Sequence, residues 1–247
     1  MMACMPDDPI VQLHQVAKRF PGRPPVQALR DISAAIPAGS VTALLGANGA
    51  GKSTLLRLLA GTLKPERGRV VLFGAVMPAE RPRIRNRLGF LLGSSTGLYG
   101  RLTAREQLRY VGRLRGMRDA TIESRISRLA DELELRSFLD RACGGFSTGM
   151  RQRTAIAATI LHEPELIILD EPFAGLDMAV RREVAGIIRQ IAATGASLLV
   201  ATHQPAELES LATDLWILAE GTTRVRAETG SRGLAAALLE AEREGRV

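Results

Sequence analysis

The segment Gly46-Ala47-Asn48-Gly49-Ala50-Gly51-Lys52-Ser53-Thr54 narrows what this chain can fold into more than any other stretch. It meets the pattern G-x-x-x-x-G-K-[ST] at every required position. That pattern works only between a strand and a helix, and the flanks supply both. Val41–Leu45 is short and apolar, and Ser53–Ala60 has helical character. Small residues let the backbone curl so that successive N–H groups point inward at a polyphosphate. The helix that follows adds its positive end to the same anion site. Lys52 is placed to reach the outer phosphates, and the Ser53 hydroxyl suits the magnesium ion that accompanies them. The expectation is an α/β fold with a strand–loop–helix cradle for a nucleoside triphosphate.

Composition sets the bounds around that cradle. A chain of 247 residues, 46% hydrophobic and 24% charged, matches a soluble globular protein with a substantial core. The long uncharged run from Ile32 to Gly51 is broken by Pro37 and several glycines, so a membrane-spanning helix is not expected there. Met1–Pro9 has neither a basic flank nor a long apolar stretch, and a secretory signal is not expected. Cys4 and Cys143 form no disulfide framework or metal spacing, which fits a reducing cytosol. The net charge is +7 and the isoelectric point is near 10.3. Lys18, Lys52 and Lys64 are the lysines, and every other basic residue is arginine. Such skew reads as a compositional bias, and nucleic acid is not expected as the partner.

Strand patterning runs through Val11–Val16, Val26–Leu29, Val41–Leu45, Arg69–Phe73 and Leu88–Leu92. After Gly93 helical patterning takes over. Thr103 and Glu106 form a capping box that predicts a helix from Ala104 to about Arg115. Asp119 is expected to cap the next helix, and helical pattern returns at Met150–Leu161. Leu166–Leu169 is an uninterrupted apolar run of the kind found in parallel strands buried on both faces. Val180, Val184, Ile187, Ile188 and Ile191 recur at helical spacing. Ser197–Ala201 and Leu215–Ala219 close the strand series, and Gly233–Glu244 reads as a helical tail. The expected organisation is a domain over residues 1–230, with a helical insertion at about 94–160, followed by a tail at 231–247.

Two further segments carry chemistry. Leu166–Leu169 ends in Asp170 and Glu171, and α/β sheets place ligands at such strand ends. Asp170 suits magnesium, and Glu171, one residue further, suits an attacking water at the outermost phosphate. Phe146-Ser147-Thr148-Gly149-Met150 opens a helix. Read locally, Ser147 is an N-cap; read functionally, this is a second anion site at a helix start. One nucleotide would use both helix starts only if a second copy supplied the other.

This combination resembles the ATP-binding-cassette (ABC) ATPases across nearly the whole chain. Gly46–Thr54 corresponds to Walker A, Leu166–Asp170 to Walker B, Phe146–Met150 to the signature, and Gly175-Leu176-Asp177 to the D-loop. The resemblance implies a P-loop NTPase fold with a mostly parallel core sheet, added antiparallel N-terminal strands and an inserted helical subdomain. It implies ATP and Mg²⁺ as ligands, with Gly46, Asn48, Gly49, Ala50, Gly51, Lys52, Ser53 and Thr54 around the phosphates. It also implies Phe20 as the ring that stacks on adenine, a contact typically worth about 1–3 kcal/mol per base. Ser53 and Asp170 would hold the metal, Glu171 would be the catalytic base, and His203 would hold the γ-phosphate and the water. In a head-to-tail homodimer, or a pair with a related ATPase, Ser147 and Gly149 would close the partner's site and Asp177 would link the two sites. A separate transmembrane permease would be the second partner, with the ATPase on the inner face of the cell membrane.

The chain departs from that pattern at two places. Gly93, followed by Ser94 and Ser95, stands where the family has a glutamine; a serine hydroxyl or a water are both open as substitutes. The signature carries Thr148 and Met150 in place of glycine and glutamine. This variant, with the Gly97–Glu106 segment, resembles the ATPases of ABC-2-type exporters. Arg101, Arg105, Arg109 and Arg113 are spaced by four and predict a stripe along one helix. A solvated face is one reading of that stripe and a docking face for a membrane subunit is the other. Two alternatives to transport stay open from the residues: an ABC-type ATPase acting on nucleic acid or ribosomes, and a P-loop kinase.

Overall fold

The computed structural model describes residues 9–80, 84–93, 97–203 and 205–228, with positions 234, 236, 239 and 243 beyond them. Two sheets share the chain. The first is antiparallel, with the order β2-β1-β4-β5 formed by β1 (Val11–Phe20), β2 (Val26–Ile36), β4 (Arg67–Leu72) and β5 (Ala75–Met77). The second has the order β10-β9-β3-β8-β7-β6, built from β3 (Val41–Leu45), β6 (Leu88–Leu91), β7 (Leu166–Asp170), β8 (Ser197–Thr202), β9 (Asp214–Ala219) and β10 (Thr222–Glu228). It is parallel except for β10, which returns antiparallel on β9.

The apolar runs of the parallel sheet have a simple cause. Alternate residues feed two different cores. Ala43, Leu45, Ile167, Leu169, Leu198 and Val200 face one cluster, which also holds the helices of the insertion. Leu44, Leu166, Ile168, Leu199 and Ala201 face the other, shared with β1, β2 and the helix α1 (Lys52–Leu59). Strands buried on both faces have no polar side to show. Helix α1 lies in the second core and buries Leu55, Leu56, Leu58 and Leu59, each side chain contributing about 2 kcal/mol on burial.

The helical part comprises α2 (Ala104–Leu114), α3 (Asp119–Glu132) and α4 (Thr148–Ile160), with α5 (Met178–Ala193) following β7. Thr103 and Glu106 form the expected capping box at α2. At α3 the expectation needs correcting: the N-cap position is Arg118 and no side chain caps the helix. Asp119 is instead the first helical residue and pairs with Arg113 at 2.9 Å. Helix α4 begins at Thr148, as Ser147 read as an N-cap implies and two residues before the periodic pattern at Met150; Ser147 accepts a hydrogen bond from the Met150 N–H. Strands β5 and β10 were not expected. β1 and β2 also run further than their apolar cores, since an antiparallel ladder with one wet face tolerates Lys18, Arg30 and Asp31.

Residues 94–96, where the insertion was expected to open, lie outside the described residues. So does most of the expected tail over 231–247, although Leu234 is buried in the first core. Among the described residues no helix is long and apolar enough to cross a membrane.

Candidate functional site

Parallel register brings three strand ends to one edge. Leu45 of β3 pairs with Thr202 of β8, and Asp170 of β7 pairs with Ala201. The residues just past these ends, Gly46, Glu171 and His203, therefore converge, as ligand sites of such sheets require.

The loop after β3 is shaped by close approaches. Gly46 has φ +154°, and a Cβ there would lie 2.3 Å from the Leu218 carbonyl oxygen. Gly51 has φ +108°, and its Cβ would lie 2.5 Å from the Ala28 carbonyl oxygen. Gly49 also has positive φ but faces open space, and Asn48 is exposed beside it. Ala50 is buried, and its carbonyl accepts from the Gly221 N–H at 3.1 Å. Helix α1 starts directly after Gly51 without a side-chain cap. Its first N–H groups are thus left for an anion.

Lys52 is only 7% exposed, although lysine is among the residues least often buried. Its ammonium donates to the carbonyls of Gly46 at 2.5 Å and Ala47 at 3.3 Å, and lies 3.7 Å from Glu171 Oε1. The Ser53 hydroxyl donates to Asp170 Oδ2 at 3.3 Å, and Thr54 follows it, half-buried. Burial pushes the Asp170 carboxyl above the usual carboxylate range; the Ser53 hydrogen bond opposes this, and the charge of Glu171 adds to it. A hydroxyl beside a desolvated carboxylate is a hard oxygen pair of the kind magnesium takes, so these residues fit that ion.

Glu171 sits at φ +50°, uncommon for a side chain of its size, with its N–H bonded to the Ala201 carbonyl at 2.8 Å. The turn out of β7 aims its carboxylate back across the strand ends. Oε2 meets the His203 ring nitrogen Nδ1 at 2.9 Å, and His203 is about half-exposed. One carboxylate thus joins the phosphate loop to the end of β8.

The remaining expected residues occupy other places. Ser147 is exposed and caps α4, with its oxygen accepting from Met150 N–H at 3.2 Å. Gly149 is buried, and a Cβ there would lie 2.8 Å from Val180 Cγ1. Asp177 caps α5 by accepting from the Val180 N–H at 2.9 Å. Nothing in the local sequence signals the Gly149–Val180 contact, because the two residues meet only through the packing of α4 on α5. Phe20 ends β1, half-buried rather than in the core, with Lys18 Nζ 5.6 Å from its ring centroid and Val26 as its cross-strand partner. Gly93, at φ +55°, lies just past β6, and Ser94 and Ser95 lie outside the described residues.

The arginine stripe is corrected in part. Arg101 precedes α2 rather than lying on it. Arg105 pairs with Asp140, Arg109 with Glu123 and Arg113 with Asp119, each through its Nε. These cations clip α2 to α3 and to the segment that follows α3. The side of α2 that lacks such partners is apolar: Tyr110 and Leu114 are exposed, and Tyr110 packs edge-on against the exposed Tyr99.

Comparison with known proteins fits this geometry. The sequence profile of the ABC transporter family matches residues 29–174. The chain is 36% identical over 235 residues to the ABC transporter ATP-binding protein NatA of Bacillus subtilis (strain 168), covering 95% of this chain and 93% of that protein. It is 37% identical over 218 residues to the daunorubicin/doxorubicin resistance ATP-binding protein DrrA of Streptomyces peucetius, covering 84% of this chain and 64% of that one. Its fold is shared by the ATP-binding cassette MJ0796, solved as a dimer in a post-hydrolysis state with ADP and Pi, at a TM-score of 0.79 and 24% identity over 88% of this chain and 98% of that one. The profile match runs from within β2 to just past the strand-end acids, and the chain belongs to the ABC transporter family as an ATP-hydrolysing, nucleotide-binding subunit.

Proposed function

We propose that this subunit powers an exporter, working at the cytoplasmic face of a membrane through a separate permease chain. The observation that carries the reading is the meeting of Lys52, Asp170 and Glu171 at the uncapped start of α1. Lys52 and the first N–H groups of α1 would bind the phosphates of ATP, and Phe20 would stack on the adenine. Ser53 and Asp170 would hold Mg²⁺, which when bound offsets negative charge on the phosphate oxygens. Glu171 would accept the proton of the attacking water, and His203, hydrogen-bonded to it, would orient that water and the outermost phosphate.

Two copies would act together. Ser147 already spends a lone pair on Met150, so its own proton is left for a phosphate oxygen held by the partner. Asp177 would carry the state of one site to the other. DrrA is named as a drug-resistance ATP-binding protein, which suits export, and the signature variant of this chain supports the same reading.

The permease contact would fall on the side of α2 that carries Tyr110 and Leu114, since Arg105, Arg109 and Arg113 are engaged by carboxylates of this chain. Tyr110 and Leu114 lie one helical turn apart there. Leu114 also lines a cavity of about 740 Å³ with Thr62, Pro78, Ile84 and Phe90. Affinity capture of the tagged protein from detergent-solubilised membranes of its native host tests the reading. A co-purifying polytopic chain, with ATPase activity that responds to it, supports the proposal. ATPase activity stimulated by DNA or RNA and indifferent to membranes would replace it with the nucleic-acid reading.

A further inference from the structure

The starts of α4 and α5 touch at a point with no spare room. Gly149 is the second residue of α4, and a methyl on it would meet Val180 Cγ1 at 2.8 Å, well inside van der Waals contact. Val180 is the third residue of α5, where a β-branched side chain has essentially one rotamer and cannot swing aside. Its backbone N–H is the donor that Asp177 caps. One residue beyond Gly149, the Met150 N–H is the donor that Ser147 caps. The two N-caps are therefore tied to the two sides of a single contact, Val180 on the bare Cα of Gly149.

We infer that Val180 is a positioning residue: by seating on Gly149 it fixes Ser147 relative to Asp177, so that one protomer presents both residues to its partner as one rigid surface. Gly149 is then a glycine because Val180 needs the space. This inference rests on the reading above, in which Ser147 closes the partner's site. It assigns to Val180 a task that lies in neither the signature nor the D-loop.

A double-mutant cycle tests it. Gly149→Ala should lower ATP turnover, and ATP-driven dimerisation in a Glu171→Gln background, by about tenfold while leaving the ATP affinity of the monomer within about twofold. A merely structural lesion would not separate those readouts. Adding Val180→Ala moves the bulk from one side of the contact to the other and should restore both to within about threefold of the parent. Val180→Ala alone loosens the contact and should weaken dimerisation severalfold at unchanged ATP affinity; this variant keeps the test decisive should Gly149→Ala fail to fold. A double variant no better than Gly149→Ala, or a Val180→Ala protein with parental turnover and dimerisation, overturns the inference. Ser147→Ala separates the two levels. If it behaves like the parent, the underlying reading falls, whereas its inactivity beside a failed rescue removes only the role of Val180.

Discussion

The Glu171 carboxylate lies 2.9 Å from the Nδ1 of His203, although the two residues leave different strands. Neighbouring parallel strands and a left-handed backbone at Glu171 produce that contact. The other carboxylate oxygen lies 3.7 Å from Lys52, so a single acid is held from both sides.

Glu171→Gln keeps the shape and removes the carboxylate proposed as the base. Turnover should fall by roughly 10²–10⁴-fold, the range general-base catalysis supplies. ATP should still bind, and an ATP-bound dimer should accumulate on size-exclusion chromatography. Phosphate release at the parental rate would remove the base assignment.

Lys52→Ala takes a buried ammonium away from the loop after β3 and removes its hydrogen bonds to the carbonyls of Gly46 and Ala47, the second of which keeps the Ala50 N–H as a donor. Charge-assisted hydrogen bonds are roughly twice as strong as neutral ones, so ATP affinity should drop by about tenfold or more. Calorimetric titration reads this directly, and an unchanged dissociation constant would count against the role of Lys52.

His162 gives the fold an acid-sensitive joint. Its Nε2 meets the Leu88 carbonyl at 3.2 Å, and its buried Nδ1 has no hydrogen-bond partner among the described residues. Burial, aided by the positive charges of Arg115 and Arg125, pushes its pKa from the ordinary 6.5 down to about 4. Between those values the unfolded chain takes up the proton and the folded chain does not. Stability is therefore fully present above pH 6.5 and declines as the pH falls towards 4, by on the order of 3 kcal/mol at complete titration. Urea midpoints at pH 7.5 and pH 5 should differ less in His162→Gln than in the parent. An equal difference in the two proteins would show that His162 is not the titrating group.

The α2–α3 clip is modest and reversible. The hydrogen bond from Arg109 holds the Glu123 carboxyl below its usual range, and Arg105 and Arg113 do the same for Asp140 and Asp119. Arg109→Glu should cost about 1 kcal/mol or less in urea unfolding, as for other partly exposed pairs, and the swap Arg109→Glu/Glu123→Arg should recover most of it. ATP affinity should not move. Loss of ATP binding in the single reversal would mean that the stripe reaches the nucleotide site.

What was legible in the sequence was whatever depends on near neighbours. The phosphate loop, the capping box at Thr103 and the strand β7 each follow from residues within one turn or one strand. β10 was missed because its partner β9 supplies the pairing and its own residues, Thr222 to Glu228, are mostly polar or charged. β5 was missed because three residues carry no period. The pairing of Arg105 with Asp140 spans 35 positions, so spacing by four gave the stripe but not its partners. Asp177 was legible as a motif member, whereas its capping of α5 needed the helix start to be seen.

The loop between β3 and α1 is held from behind by the protein's own packing. Gly46 is set against Leu218 of β9, Gly51 against Ala28 of β2, and Ala50 is bonded to Gly221 in the turn between β9 and β10. A segment moulded in this way has little freedom left to surrender on meeting its substrate, and preorganisation of that kind favours tight capture. It also means that damage far from the nucleotide, in the hairpin of β9 and β10 or in the strand that carries Ala28, should register first as weakened ATP binding.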